Sequence, residues 1–349
     1  MATRNIIVIG ASAGGVQALS KLVSQLPADL PAAVFIVLHL PSDPPSQLPA
    51  ILARESKLIV SHAINGEEIT PGRVYVALPD HHLLIEENHV KLVHGPKENR
   101  HRPSIDALFR SAARWAGPRV IGVVLTGALD DGKAGMRHIK QRGGITIVQD
   151  PQEALFPSMP LSVMQDIQVD HSLPLRDVAP LLDTLSRETA YEEGNYPVPD
   201  ELEIEVKIAK QEMESGELIT SVEKLGKVSK LTCPDCHGAL WEINDPDLLR
   251  YRRHVGHAYS ADSLSDGQSQ VLEVALWSAI RALEEKMMLA RRIAERARRA
   301  NNTRAISAFE KRAQEAERHS SALRQLLLSS EKGDIARPVI QEADELTVS

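Results

Sequence analysis

An α/β fold built on a doubly wound, mostly parallel sheet is what the first 190 residues predict. Short apolar runs rich in β-branched residues alternate with segments whose apolar positions recur at helical spacing. The first run, from Ile6 to Ile9, has no polar interruption, which is typical of a strand buried on both faces of a parallel sheet. A glycine-rich turn separates this run from the first helical segment, as in a strand–turn–helix unit.

The predicted elements follow one another in a regular order. Strands are expected at 5–9, 33–38, 58–61, 73–77, 82–85, 90–93, 119–125 and 144–148. Helices are expected at 16–26, 45–54, 104–116, 132–142 and 175–188. The strands within 58–94 are too close together for helical crossovers, so an antiparallel excursion of the sheet is expected there.

The composition of the 349 residues is that of a globular protein, with 43% hydrophobic and 25% charged residues. A net charge of −7 gives no reason to expect nucleic-acid binding. The sequence has no apolar run of transmembrane length, and its first residues lack the apolar core of a signal peptide. We therefore expect a cytoplasmic protein without membrane insertion.

The second half of the chain has a different pattern. Residues 191–228 are acidic and contain two prolines, which predicts a solvated linker after a domain spanning 1–190. A small Cys/His module at 229–262 follows, and then two long helices, about 263–299 and 302–330, predict a helical hairpin over 263–331 with a flexible tail at 332–349. The apolar stripe expected to pack the first helix is Val271, Val274, Leu276, Ile280, Leu283, Met287 and Leu289.

The turn after the first strand carries a serine between glycines, in the order Gly10-Ala-Ser12-Ala-Gly14. A serine on a sharp strand-to-helix turn is typical of a nucleophile elbow, and the N–H groups of Ala13 and Gly14 would lie where an oxyanion needs donors. A phosphate-binding turn is the alternative interpretation, because glycines in this position also bring the backbone close to a phosphate. The local sequence leaves both open.

Two further polar groups follow predicted strands. His39 closes the second strand, and the run from Val120 leads into Asp130-Asp131-Gly132. Carboxyl ends of parallel strands meet at one edge of a sheet, so a serine, a histidine and an aspartate are expected together there. A serine becomes nucleophilic when a base takes its proton and a third group orients that base, which favours the nucleophile interpretation.

Several motifs in this half of the chain occur in one order. They are Gly10-Ala-Ser-Ala-Gly-Gly15, His39-Leu-Pro41, Gly66-Glu-Glu-Ile-Thr-Pro-Gly72, His101-Arg-Pro-Ser104, Leu125-Thr-Gly127 with Asp131-Gly132, Gly143-Gly144 with Gln149-Asp150, and Phe156-Pro-Ser-Met-Pro160. As an ordered set they resemble, over about residues 5–185, the catalytic domain of the chemotaxis protein-glutamate methylesterases, the CheB family.

The resemblance implies hydrolysis of glutamyl methyl esters on the cytoplasmic domains of methylated chemoreceptors, and deamidation of receptor glutamines. By motif position it implies that Ser12 is the nucleophile, His39 the general base and Asp131 its partner. Asp130 occupies a variable position, and Met159 falls in the family's Met-Pro motif near the site. The resemblance implies no cofactor for catalysis.

The chain departs from the family pattern in ways that bear on substrate and control. Ala13 stands where many members have threonine, and Ala128-Leu129 replaces a Met-Gly pair beside the catalytic aspartate. Many members also carry an N-terminal receiver domain, whereas this sequence begins at the catalytic strand, so we expect a stand-alone catalytic domain with a C-terminal extension. Its control would then fall to a separate regulator or a paired methyltransferase.

The Cys/His module offers donors for a structural zinc ion. Cys233-x2-Cys236 is followed, 17 residues later, by His254-x2-His257, a spacing similar to that of zinc ribbons and fingers. Extensions on stand-alone relatives resemble this one but usually carry a cysteine where this chain has Arg253. Both interpretations stay open: a zinc site, or a metal-free module packed through Leu240, Trp241, Leu248 and Tyr251.

The leading hypothesis is a serine esterase that acts on a protein side chain. An alternative is a signalling adaptor that has lost most activity and recruits partners through its C-terminal module. The intact set of Ser12, His39 and Asp131 argues against that alternative. A nucleotide-binding protein is disfavoured, because the first turn lacks a P-loop lysine and the second strand lacks a ribose-binding acid.

Overall fold

The computed structural model describes residues 3–39, 46–190 and 196–334 of the chain. By their contacts the residues fall into two compact units, Met1–Ser265 and Asp266–Ser349. Within the described ranges, no helix is both long and apolar enough to cross a membrane.

The first unit contains a parallel sheet and a separate hairpin. Its first nine strands are β1 Ile6–Ala11, β2 Ala33–Leu38, β3 Ile59–His62, β4 Arg73–Val76, β5 His82–Glu86, β6 His89–Val93, β7 Val120–Val124, β8 Ile145–Gln149 and β9 His171–Leu173. Seven of them form one sheet in the order β3-β4-β2-β1-β7-β8-β9, and each neighbouring pair is parallel. The predicted α/β class is confirmed.

The antiparallel excursion is narrower than the sequence predicts. Strands β3 and β4 are parallel members of the main sheet, and only β5 and β6 form an antiparallel hairpin. The two-residue connection between β5 and β6 requires that hairpin. Strands β3 and β4 pair in parallel although only ten residues connect them, which is why the sequence alone suggests otherwise. The short strand β9 escapes prediction because its polar sequence, His171-Ser172-Leu173, has no run of β-branched residues.

Helices cover both faces of the sheet. The bounds of the helices in this unit are α1 Gly15–Gln25, α2 Leu48–Glu55, α3 Ile105–Ala116, α4 Lys133–Gln141, α5 Ser158–Asp166, α6 Leu175–Arg187, α7 Asp200–Lys210 and α8 Ser215–Leu225. In β1, Ile6 and Val8 face the core shared with α3, α4 and α5, while Ile7 and Ile9 face the core shared with α1, α2 and α6. The strand is therefore buried on both faces, as its uninterrupted apolar run predicts.

The order of the strands brings three carboxyl ends side by side. Strand β1 lies between β2 and β7, with Ala11 opposite Leu38 and Gly10 opposite Val124. The residues that follow these strands consequently share one edge of the sheet.

Residues 200–225 are not the solvated linker that the sequence predicts. Helix α7 buries Leu202, Val206 and Ala209, which recur at helical spacing, and the first two belong to the core under the sheet. The prediction is wrong because charged residues of α7 are paired with arginines from other elements, as Glu203 is with Arg114 and Glu205 with Arg250. Residues 191–195 of the predicted linker lie outside the described ranges.

The Cys/His module forms a second, antiparallel sheet in the same compact unit. Its strands are β10 Gly226–Thr232, β11 Ala239–Ile243, β12 Arg250–Arg252 and β13 Ala258–Ser260, paired in chain order. Glu205 of α7 is buried and accepts hydrogen bonds from Arg250 and Arg252 of β12, which ties this sheet to α7. The division of the chain at residue 190 therefore stays a prediction about independent folding.

The predicted helices of the C-terminal hairpin are present, as α9 Ala261–Arg299 and α10 Thr303–Asp334. Ion pairs at seven-residue intervals join them, and the partners are Arg298 with Glu310, Arg291 with Glu317, and Arg324 with Glu284. The apolar side chains buried on α9 in this second unit are those of Ile280, Ala290, Ala294 and Ala297.

The stripe predicted for the first helix is correct in part. Ile280 is buried and Leu276, Leu283 and Met287 are half-buried. Val271, Val274 and Leu289 are exposed, so the prediction is wrong there. Small alanine side chains let two helices approach closely, which a search for large apolar residues overlooks. The predicted tail lies outside the described part of the chain from residue 335 on.

Candidate active site

Ser12 lies on the turn between β1 and α1, as the glycine pattern predicts. Gly14 caps the helix with a φ of 74°, a left-handed conformation that favours glycine. The N–H of Gly15 donates to the carbonyl of Ser12 at 2.8 Å, and the N–H of Ser12 donates to the carbonyl of Thr126 at 3.0 Å. These bonds fix the serine backbone between the ends of β1 and β7 and leave its side chain partly exposed.

The backbone beside Ser12 supplies free donors. Among the described residues, neither the N–H of Ala13 nor that of Gly14 has a hydrogen-bond acceptor. The hydroxyl of Thr126 donates to the carbonyl of Ala13 at 3.1 Å, which holds this peptide in place. Two fixed N–H groups at the start of a helix are suited to stabilising an oxyanion that forms on a carbonyl bound at Ser12.

His39 links the serine to the aspartate. Its Nδ1 lies 3.2 Å from Oγ of Ser12, and its Nε2 lies 2.7 Å from Oδ2 of Asp131. An ionised carboxylate only accepts hydrogen bonds, so Nε2 carries the ring proton and Nδ1 is left to accept the proton of the serine. The three residues predicted from separate strand ends are thus brought together in the order of a catalytic triad.

Asp131 is buried but richly supplied with donors. The N–H groups of Ile105 and Asp106, in the first turn of α3, donate to it at 2.7 and 3.2 Å. The hydroxyl of Ser104 donates at 3.0 Å and the side-chain amide of Asn99 at 2.9 Å. A carboxylate at a helix N-terminus with this many donors is stabilised in its charged form.

The same contacts govern how Asp131 ionises. Burial alone would raise the pKa of Asp131, but the hydrogen bond from His39 and the amide of Asn99 hold it well below its ordinary value. Burial and the neighbouring charge of Asp131 raise the pKa of Asp106. Asp131 therefore remains an anion able to orient and stabilise a protonated His39.

The structure distinguishes the two adjacent aspartates. Asp130 does not contact His39; its Oδ1 accepts a hydrogen bond of 2.6 Å from the hydroxyl of Ser260. Burial raises the pKa of Asp130 to about 6. The carboxylate implied by motif position, Asp131, is the one that lies against His39.

His101 is a site residue that the sequence analysis did not single out. Its ring stacks on that of His39, with centroids 3.6 Å apart and planes within 8° of parallel. Burial and the charge of a protonated His39 lower the pKa of His101 to about 3, so the stacked ring is neutral. The sequence signal that could have identified His101 is its place in the motif His101-Arg-Pro-Ser104. The last residue of this motif, Ser104, donates a hydrogen bond to Asp131.

Met159 is buried beneath Ser12. A Cβ on Gly127 would lie 2.0 Å from the Met159 sulfur and 3.0 Å from Cβ of Ser12, so only glycine fits between them. The exposed side chains of Leu155 and Phe156 flank Gly14 at the mouth of the site. Sequence analysis gave neither of these two residues a role, although Phe156 opens the motif that contains Met159.

Three of the predicted metal ligands converge. Cys233, Cys236 and His257 each offer a donor atom, and these atoms lie within 4.8 Å of one another. The sulfur of Cys233 lies 3.6 Å from Nδ1 of His257. His254 is not in this group, because the turn between Arg253 and His257 directs it to Trp241, whose ring it contacts with centroids 3.7 Å apart.

A second cluster, at His138, Glu201 and Glu205, also has donor atoms within reach of one another. The carboxylates of Glu201 and Glu205 are already paired with Arg250. The guanidinium of Arg250 thus already supplies the positive charge that a metal ion would bring. The cluster is an ion-pair network that joins α7 to β12.

The chain is similar to known proteins over its first half. A family model described as CheB methylesterase matches residues 7–182. A protein-glutamate methylesterase/protein-glutamine glutaminase of Methanosarcina mazei is 42% identical over 184 residues, covering 50% of each chain. A protein of the same description from Anaeromyxobacter dehalogenans is 38% identical over 189 residues, covering 53% of this chain and 52% of its own.

A solved structure gives the same result. The crystal structure of the Thermotoga maritima CheB methylesterase catalytic domain is 34% identical, with a TM-score of 0.50. The similarity covers 52% of this chain and 98% of that domain. The chain spans about half the length of the curated relatives it matches.

Proposed function

The chain belongs to the CheB methylesterase family, and we propose that it hydrolyses glutamyl methyl esters on the cytoplasmic domains of chemoreceptors. Deamidation of glutamines at such sites is a second reaction of the same kind, in keeping with the names of its relatives. The observation that carries the proposal is the ring of His39, which lies between Ser12 Oγ and Asp131 Oδ2.

The reaction follows from this arrangement. Ser12 Oγ attacks the ester carbonyl while His39 Nδ1 takes the serine proton, and Asp131 stabilises the charged ring. The N–H groups of Ala13 and Gly14 stabilise the oxyanion. His39 returns the proton to the departing methoxide, which leaves as methanol. The glutamyl group remains as an ester of Ser12. Water then attacks this ester while His39 takes its proton. His39 passes that proton to Ser12 Oγ as the glutamate leaves, which restores the serine.

The intact triad supports an esterase over the adaptor alternative. A protein that only recruits partners has no need for a carboxylate that buried donors keep ionised beside a histidine. The receptor is the proposed substrate partner. A separate regulator or a paired methyltransferase remains the proposal for control.

Replacement of the nucleophile tests the function. Ser12→Ala should lower methanol release from a methyl-labelled receptor fragment by about a thousandfold or more, since the triad acts as a unit. The matched control is Ser24→Ala, because the hydroxyl of Ser24 bonds only within α1. Near-normal turnover by the Ser12→Ala protein, with an unchanged thermal transition, would contradict the serine mechanism.

We also propose that Cys233, Cys236 and His257 hold a structural zinc ion. Zinc bonds of about 2.3 Å to sulfur and 2.0–2.1 Å to nitrogen, at a tetrahedral angle, separate these atoms by about 3.5 Å. The observed distance from Cys233 sulfur to His257 Nδ1 is 3.6 Å, which fits. Bound there, zinc would crosslink the turn before β11 to the turn before β13.

Arg253 bears on the fourth ligand position. A Cβ on Gly238 would lie 2.0 Å from Nε of Arg253, so the guanidinium lies against the turn that contains both cysteines. That Nε is buried without a hydrogen-bond partner among the described residues. A cation in this position weakens zinc binding relative to a site closed by a fourth thiolate.

A further inference from the structure

The C-terminal module, meaning the sheet β10–β13 together with the first turn of α9, contacts the catalytic domain at residues 97–101. This segment precedes α3 and is called the 97–101 loop below. The N–H of Asn99 donates to the carbonyl of Ala258 at 2.8 Å, and the N–H of Ala258 donates to the carbonyl of Lys97 at 3.3 Å. Ala258 lies in β13, at the edge of the module sheet. The 97–101 loop therefore pairs with this edge as a further strand would.

Asn99 connects this contact to the catalytic aspartate. Its side-chain oxygen accepts from the N–H of Ser260 at 2.9 Å and from the hydroxyl of Ser263 at 3.1 Å. Its side-chain nitrogen donates to Asp131 and to Asp106, each at 2.9 Å. Carboxylates accept and an N–H donates, so the orientation of the Asn99 amide is determined by its partners.

The conformation of the 97–101 loop requires support from outside. Asn99 and Arg100 have φ values of 48° and 70°, two successive left-handed residues that are not glycine. Such a backbone is unfavourable for residues other than glycine and persists where surrounding contacts determine it. The next residue, His101, stacks on His39, so the 97–101 loop also sets the position of the general base.

Buried charges secure the same contact. Glu98, next to Asn99, lies 3.5 Å from Nη1 of Arg252 in β12 and is paired with Arg110 of α3. The hydroxyl of Ser260, at the start of α9, donates to Asp130 at 2.6 Å. The module thus contacts the 97–101 loop and the turn before α4 directly, and it is linked to α3 through Glu98.

We infer that Asn99, Ser260 and Ser263 are positioning residues for Asp131, so that the C-terminal module completes the active site. Ser260 and Ser263 lie beyond the 7–182 segment shared with the family. The module holds the amide of Asn99, and this amide holds the carboxylate that orients His39. The inference rests on the proposed function only in its choice of substrate, since activation of Ser12 can be measured separately.

The test uses full-length protein and two readouts. One is the rate at which a fluorophosphonate probe labels Ser12, which reports the nucleophile without the receptor. The other is kcat and KM for methanol release. The variants are Ser263→Ala, which removes the hydroxyl that donates to Asn99, Asn99→Gly, which removes the amide but suits a positive φ, and the double variant. Ser260 is left unchanged, because it donates to Asn99 through its backbone N–H, which a substitution would keep.

Loss of hydrogen bonds that support a buried carboxylate should slow labelling and lower kcat by about tenfold or more. KM should stay within about twofold, because Asn99 and Ser263 are buried and act through Asp131. The double variant should be no slower than Asn99→Gly, because Ser263 donates to the same amide that Asn99→Gly removes. Ser229→Ala is the matched control, since its hydroxyl bonds within the module to Leu240.

The labelling and turnover results distinguish failure of this inference from failure of the proposed function. Equal labelling in all variants, or losses that multiply in the double variant, would overturn the inference. If Asn99→Gly protein does not fold, Ser263→Ala alone must slow labelling, and unchanged labelling of that variant would overturn the inference. Wild-type protein that the probe labels but that releases no methanol counts against the proposed function alone. Failure to label wild-type Ser12 counts against both.

Discussion

His39 and His101 lie in parallel contact, their rings 3.6 Å apart, and only one of them bonds to the serine. A protonated His101 would place a second positive charge directly against His39, the proposed general base. Burial and the charge of His39 lower the pKa of His101 to about 3, which keeps the outer ring neutral while His39 gains and loses its proton.

This stack predicts how stability depends on pH. The unfolded chain protonates a histidine at about pH 6.5, whereas folded His101 resists protonation until about pH 3. The unfolded state therefore binds more protons between these values, and His101 makes the free energy of unfolding fall as pH drops from about 6.5 towards 3. Above pH 6.5 its contribution is complete.

His101→Phe, which keeps a flat ring, should reduce that acid slope by up to about 1.4 kcal/mol per pH unit. Urea unfolding at several pH values measures it. Some slope should remain, because burial also lowers the pKa of His82. An unchanged slope would show that His101 does not titrate as inferred.

The two aspartates before Gly132 should differ sharply in their effect on catalysis. Asp131→Asn removes the charge that stabilises a protonated His39 and should lower kcat by about a thousandfold or more. Asp130→Asn keeps an acceptor for Ser260 and should cost less than about tenfold. Kinetics on one small ester for both proteins settles the ranking, and the reverse order would mean that the triad is wrongly assigned.

Glu205 and Glu203, on opposite sides of α7, form a matched pair for stability. Glu205 is fully buried and shared by Arg250 and Arg252, so Glu205→Ala should lower the free energy of unfolding by about 3–5 kcal/mol. The side chain of Glu203 is 30% exposed and pairs with Arg114, so Glu203→Ala should cost about 1 kcal/mol or less. Denaturant unfolding compares them; equal losses would mean that the buried network is not coupled to folding.

The same network bears on a chain ending at residue 190. Such a chain would lose Glu205 and Arg252, leaving Glu98 and Arg110 as an isolated buried pair. The sequence predicts that 1–190 folds and hydrolyses ester by itself. The contacts of α7 and β12 lead us to expect it to be much less stable than the intact chain.

The zinc proposal predicts a gain as well as a loss. Cys233→Ser should abolish zinc binding, whereas Arg253→Cys should tighten it by about tenfold or more by adding a thiolate and removing a cation. Elemental analysis and competition with a chromophoric chelator measure both. Wild-type and Cys233→Ser proteins with the same zinc content would remove the claim.

The sequence located the strand ends well because β1, β2 and β7 are uninterrupted apolar runs, and strands of that kind pack side by side in a parallel sheet. Ser12 and His39 follow two of these strands almost immediately, so their meeting depends on little besides strand order. Asp131 lies seven residues after β7, and motif position was needed to separate it from Asp130.

Other parts of the site depend on contacts that no local pattern records. His101 reaches His39 from a loop with two left-handed residues, and neither Asn99 nor Arg100 is a residue whose presence demands that conformation. The role of α7 was hidden because Glu205, a charged residue, occupies its buried face. A carboxylate is buried only where charged partners from other elements meet it. The partners of Glu205 include Arg110 and Arg250, which lie about 95 and 45 residues away along the chain.

The ion pairs of the helical hairpin recur every seven residues along both helices. Two turns of a helix span close to seven residues, so each block of that length presents the same face to its neighbour. Removing one block from each helix would shorten the hairpin by about 10 Å and leave every remaining pair in register. The reach of this arm is therefore adjustable in evolution by whole blocks, independently of the catalytic chemistry.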